Sequence, residues 1–139
     1  VYDPRFELSG FEVLPAAQRC RIVLELVRAM VLVNRIEWRA VRPPPLYQAG
    51  VVYAYQGETD DWKDLVQVLA TGSGSCNSLA AWRCAELLEN GQECGPYIKT
   101  DDRFSSDDDT EVFHVIVRLG PQGSGQFEDP SVLLGMPSP

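Results

Sequence analysis

Gly72-Ser73-Gly74-Ser75-Cys76-Asn77-Ser78-Leu79-Ala80-Ala81-Trp82 is the stretch on which the reading of this chain turns. Small, flexible residues give way at once to helix formers. A helix is predicted to begin at or near Cys76 and run to about Asn90, where Asn90-Gly91 supplies a C-terminal stop. Leu79, Trp82, Ala85, Glu86 and Leu88/Glu89 give it an amphipathic pattern. A cysteine opening a helix meets unpaired N–H donors and the positive end of the helix dipole. Glycines just upstream let the backbone reach that geometry and let a substrate come close. Both features suit a thiol that must ionise to react, since a free cysteine titrates near about 8.5.

Downstream of Cys76 lies the single histidine of the chain, in Val112-Phe113-His114-Val115-Ile116-Val117. Glu111 to Leu119 reads as the clearest strand, dense in β-branched and aromatic residues. His114 then shares a face with Val112 and Ile116, and Phe113 and Val115 share the other. After a glycine-rich turn, Gln126-Phe127-Glu128 begins a return strand that Asp129-Pro130 ends. An antiparallel return brings Asp129 beside His114. Cys, His, Asp is an order that builds a nucleophile, its base and the residue that orients the base. Each has an ordinary reading when taken singly: a packed small residue, a structural histidine, a turn former. Taken together, on a helix start, a strand and a strand end, they point to a triad.

The rest of the chain is built around this series. Arg5–Leu8 reads as a short strand, and Pro15 suits the first turn of a helix from Ala16 to about Trp38. Its apolar stripe is read as Ile22, Val23, Leu26, Met30, Val33 and Ile36/Glu37, with Cys20 packed as a small hydrophobe. Pro43-Pro44-Pro45 forms an extended connection, and Gly50–Tyr55 reads as a strand. Thr59-Asp60-Asp61-Trp62 opens a short helix through Leu69, its acidic residues in the first turn. Pro96–Lys99 reads as a strand, 101–110 as an acidic loop at the rim of the site, and the tail from Gly135 as a loop.

With 139 residues, the chain fits one domain, given about 100–200 residues per domain. The reading divides it into an N-terminal helical region, about 1–45, and a catalytic core, about 46–135. A formal net charge of -8 argues against nucleic acid or an anionic membrane as the main partner. The longest apolar stretch, Ile22 to Ile36, is interrupted by Glu25, Arg28 and Asn34, so it is not a membrane span. Four cysteines in a chain of this size read as free thiols in a reducing, cytoplasmic compartment, and no signal-peptide pattern is visible. Cys84 and Cys94 are spaced too widely from Cys76 for the usual zinc knuckles of about two to four residues. No metal and no cofactor is expected. Cys84 ranks second as a nucleophile but falls mid-helix. Asp101-Asp102 and Asp107-Asp108-Asp109 lack an EF-hand pattern and read as solvated.

Gly74-Ser75-Cys76 with its Leu79-Ala80-Ala81-Trp82 helix, then Phe113-His114-Val115, then Glu128-Asp129-Pro130, resembles the transglutaminase-like core. That family is an α+β relative of the papain-like thiol peptidases. The similarity covers roughly Val51 to Gly135. It implies Cys76 as nucleophile, His114 as base and Asp129 as its orienter. Small stand-alone members occur in bacteria and their viruses, which implies hydrolysis. Many small bacterial relatives carry acidic residues around the cysteine, where this chain has Ser75, Asn77 and Ser78. That departure implies different handling of substrate near the thiol.

The expected fold is α+β, with helices packed on a small antiparallel sheet, the Cys76 helix inside and Trp82 buried. The expected function is thiol-dependent acyl transfer at an amide of a protein or peptide. Water as acceptor gives a peptidase, isopeptidase or amidase, and an amine gives a transglutaminase. A noncatalytic binding or assembly module on the same scaffold is the reading from another class. An oxyanion needs donors beside the nucleophile. The backbone N–H of Cys76 is the first candidate, with Tyr47, Gln48, Gln56 and Trp62 as side-chain candidates.

Overall fold

The computed structural model describes residues 9–55, 62–100 and 113–137. The expected strand at Arg5–Leu8, the helix start at 59–61, the acidic loop at 101–110 and the candidate donor Gln56 lie outside these residues. The described chain is mixed α+β, in the order α1 (Ala16–Val41), β1 (Val52–Tyr53), α2 (Leu65–Thr71), β2 (Ser73–Gly74), α3 (Cys76–Glu89), β3 (Cys94–Thr100), β4 (Phe113–Leu119), β5 (Gln126–Glu128) and α4 (Pro130–Leu133). No helix among the described residues is long and apolar enough to cross a membrane.

Helix α3 is the centre of the fold, and Asn77 through Trp82 are buried without a break. A helix covered all round must sit between other elements. One side presents Ala80, Ala81, Cys84 and Ala85 to Val23, Val27 and Val31 of α1 and to Val115 and Val117 of β4. Their small side chains permit close approach. The other side places Leu79 and Trp82 against Leu46, Val51, Leu65 and Val68. Trp82 is fully buried, as expected.

The antiparallel sheet has the order β3-β4-β5. Its register pairs Lys99 with His114, Tyr97 with Ile116 and Val117 with Glu128. Alongside it stands a parallel pair, β1 and β2, which matches Val52 with Ser73. The expected strand over Gly50–Tyr55 is thus reduced to two residues, and its partner is the turn leading into α3. The Tyr53 N–H donates to the Leu134 carbonyl at 2.9 Å, which ties β1 to the end of α4.

Two expectations about helices are corrected. The buried stripe of α1 is Val23, Val27, Val31 and Asn34, whereas Val33 and Ile36 are exposed. Apolar residues surround much of α1, so two stripes fit its periodicity, and a polar residue on the true one disguised it. Helix α2 begins at Leu65, and no acidic residue lies in its first turn. Its open N–H groups are met from three directions. Asn34 Oδ1 accepts from Leu65 N at 2.9 Å, Glu37 Oε2 from Val66 N at 3.1 Å, and Asp64 Oδ1 from Gln67 N at 2.9 Å. The Gln67 side chain accepts from Asp64 N at 3.0 Å, which completes a capping box. Asn34 is buried because it performs this capping, and α1 thereby fixes the segment that feeds the Cys76 turn.

Candidate active site

Cys76 is the first residue of α3, where its N–H has no helical carbonyl to reach. Two glycines bring it there for different reasons. Gly72 ends α2 with φ +75°, a conformation that penalises any Cβ. Gly74 lies under crowded neighbours: an added Cβ would meet Leu79 Cδ2 and Ser78 Cβ at 3.3 Å. The turn therefore packs directly onto α3. The residues flanking Cys76 face inward: Ser75, Asn77 and Ser78 are all buried. Ser75 Oγ donates to Asn77 Oδ1, which also accepts from Ser78 N at 2.9 Å. Ser78 Oγ accepts from Lys63 N at 2.9 Å. These three residues build the turn, while Cys76 itself is partly exposed.

Strand β4 passes the open end of α3. Cys76 Sγ lies 3.9 Å from the Phe113 carbonyl oxygen, immediately before His114. A side-chain hydrogen bond joins Cys76 to His114, which is itself buried. On the far side of the imidazole, His114 Nε2 donates to Asp129 Oδ2 at 2.7 Å. With Nε2 so engaged, Nδ1 is the ring nitrogen left for sulfur. Because Glu128 pairs with Val117, Asp129 stands opposite Ile116, diagonal to His114 on the same sheet face. The sequence-predicted triad is thus brought together from α3, β4 and the end of β5.

Asp129 has a second task. It is the N-cap of α4, with Pro130 at the first helical position, and its Oδ1 accepts from Val132 N at 3.3 Å. The Asp-Pro expected to end a strand thus also opens a short helix, where the sequence reading has only a strand end. The signal was present, since an N-cap aspartate before proline is a helix start.

The electrostatics follow from these contacts. Burial pushes the His114 imidazole towards neutrality, but its bonds to Asp129 and Cys76 outweigh that and raise it to about 9. Burial opposes the charged form of Asp129 as well, and the His114 bond overcomes this to hold the carboxyl below its usual range. An imidazolium held by a carboxylate next to a helix-start sulfur is suited to stabilising a thiolate.

The other sequence candidates are distributed unevenly. Trp62 packs against the same apolar cluster as Cys76 and Phe113. Gln48 is exposed at the end of a 3-10 turn, Leu46–Gln48. The Tyr47 ring lies 4.9 Å from the Arg83 guanidinium carbon. Burial and the neighbouring Glu128 carboxylate hold its phenol well above the usual range. Cys84 and Cys94 are buried, and a bond from Cys94 together with burial pushes the Cys84 thiol up. Cys84 is therefore poorly placed to act as a nucleophile.

Sequence reasoning missed Arg83. Its Nε and Nη2 donate to Glu128 at 2.7 and 3.3 Å, and its Nη1 donates to Glu86 at 2.6 Å. Only the spacing of Arg83 and Glu86 on one helix could have indicated part of this cluster. The contact with Glu128 spans β5 and has no local signature. Compared with family models, curated proteins and solved structures, the chain matches none at a significant level.

Proposed function

We propose that this protein is a cysteine-dependent enzyme that transfers the acyl group of an amide, on a transglutaminase-like scaffold. The observation that supports this reading is the convergence of the Cys76 thiol, the His114 imidazole and the Asp129 carboxylate in one hydrogen-bonded series. His114 takes the thiol proton, and the sulfur of Cys76 attacks the amide carbon. The C–N bond breaks as His114 returns the proton to the leaving amine, and a thioester remains on Cys76. Water then attacks the thioester, gives a proton to His114 and releases the acid. The thiolate departs and the site is restored. Asp129 keeps the imidazole oriented and stabilises its cation.

The developing oxyanion needs donors beside the sulfur. The Cys76 N–H at the start of α3 is the first, and the Trp62 indole, which packs against the same apolar cluster as Cys76, is the side-chain candidate. Hydrolysis of a peptide or isopeptide bond is the favoured outcome, with transfer to an amine as the variant. Four free thiols suit a reducing, cytoplasmic setting, and the net charge of -8 suits a protein or peptide substrate over nucleic acid.

A peptide library presented to the protein and to Cys76→Ala tests the reading. Cleavage or amine incorporation that Cys76→Ala abolishes is the expected result. Turnover equal in both proteins, or peptide capture without any turnover, overturns it. Added amine separates the two acceptors, since incorporation marks transfer and free acid marks hydrolysis.

A further inference from the structure

We infer that Arg83 is a positioning residue for the triad, acting by clamping the Asp129 strand to the helix that carries Cys76. The inference rests on the acyl-transfer reading of the same site. Arg83 lies on α3 two turns beyond Cys76. Its guanidinium grips Glu128, the residue immediately before Asp129, through Nε at 2.7 Å and Nη2 at 3.3 Å. The third nitrogen donates to Glu86 Oε2 at 2.6 Å, and Glu86 Oε1 in turn accepts from Leu46 N at 3.0 Å. Glu86 is nearly inaccessible, so the fork starts from a fixed base.

The geometry makes this more than a surface ion pair. Strand β5 is only three residues long, and it is an edge of the β3-β4-β5 sheet. A short edge strand has few ladder bonds to fix its end. Arg83 of α3 holds the Glu128 carboxylate, and the next residue, Asp129, holds His114. A two-pronged Arg–carboxylate bond fixes direction as well as distance. Arg83 therefore sets where Asp129 stands relative to a helix whose first residue is the nucleophile. The charged and titratable groups around His114 are Asp129 from the end of β5, Cys76 from α3 and Lys99, its register partner on β3, among the described residues.

The single histidine makes the test direct. Its titration is read by NMR in the wild type, Arg83→Met, Arg83→Lys and Arg39→Gln. Arg39 pairs with Glu89 at the other end of α3, so Arg39→Gln is a control for lost charge. Removing a cation by itself raises a histidine pKa, whereas loosening Asp129 lowers it. The expected result is a downward shift of about one unit in Arg83→Met, a smaller one in Arg83→Lys and none in Arg39→Gln. Alkylation of Cys76 by iodoacetamide should slow about tenfold in Arg83→Met and recover partly in Arg83→Lys. An unchanged or raised His114 titration in a folded Arg83→Met overturns the inference. If that variant does not fold, Arg83→Lys alone decides by the same criterion. A wild-type His114 that titrates at its ordinary value contradicts the underlying triad instead, so the two failures are distinct.

Discussion

The carboxylate of Asp129 is divided between two partners: Oδ2 accepts from His114 Nε2 at 2.7 Å, and Oδ1 accepts from Val132 N at 3.3 Å. One residue thereby orients the base and starts α4. Substitutions can separate the two tasks. Asparagine caps a helix as well as aspartate but carries no charge. Asp129→Asn should keep the α4 cap, give up the stability that the charged pair with His114 supplies, and slow Cys76-dependent turnover by roughly 10²–10⁴-fold. Asp129→Ala should lose as much activity and about 1 kcal/mol more stability than Asp129→Asn, the worth of the cap. Urea unfolding alongside kinetics checks both.

Stability should depend on pH through His114. Its pKa is raised from 6.5 to about 9 in the folded protein. Stabilisation from a raised base is complete below the unfolded-state value and is lost as pH rises through the folded one. The unfolding free energy should therefore fall by on the order of 2–3 kcal/mol between about pH 7 and pH 10. His114→Gln should lack that component of the slope. Asp129 contributes with the opposite sign: its carboxyl is lowered, so its share is present above the usual carboxylate range and is lost in acid. Denaturant titrations of both proteins across pH measure the difference.

Gly74 should tolerate a side chain poorly because of what lies above it. A Cβ there would meet Leu79 and Ser78 at 3.3 Å and Val68 at 3.4 Å. Gly74→Ala should cost about 1–3 kcal/mol and slow alkylation of Cys76 by shifting the turn. Nothing lies within 4 Å of a Cβ at Gly72, yet its φ of +75° makes Gly72→Ala costly by about 1–2 kcal/mol. Urea midpoints give both values, and only the Gly74 change should act through packing.

The four thiols should differ in reactivity. Cys84 and Cys94 are buried, while Cys76 is partly exposed and bonded to His114. In the native protein iodoacetamide should modify Cys76 well before Cys84 or Cys94, which become accessible on unfolding. Peptide mapping by mass spectrometry over a time course reads the order directly.

The parts of this fold that were legible in sequence are those set by local chemistry. The start of α3 follows from the glycine turn, and β4 from its β-branched run. Because strand alternation fixes the face of His114, a short return was enough to bring Asp129 to it. What escaped depends on contacts between distant segments. The true stripe of α1 includes Asn34, whose burial makes sense only once the N-terminus of α2 is known to need it. The parallel pairing of β1 with β2 joins two very short segments that carry little pattern of their own. Arg83 resembles a solvated helix residue until Glu128 arrives from β5. Helix α4 is legible as well, since Asp129-Pro130 is a local helix start as much as a strand end.

Acylation by p-nitrophenyl acetate, followed by intact mass and peptide mapping, tests the central claim most directly. A thiol made nucleophilic by His114 and Asp129 should form an acetyl thioester at Cys76 that hydroxylamine removes. The adduct should be absent in Cys76→Ala and strongly slowed in His114→Gln and Asp129→Asn. Acetylation of Cys76 at the same rate in the wild type, His114→Gln and Asp129→Asn, or acetylation shared evenly with the partly exposed Cys20, would contradict the account.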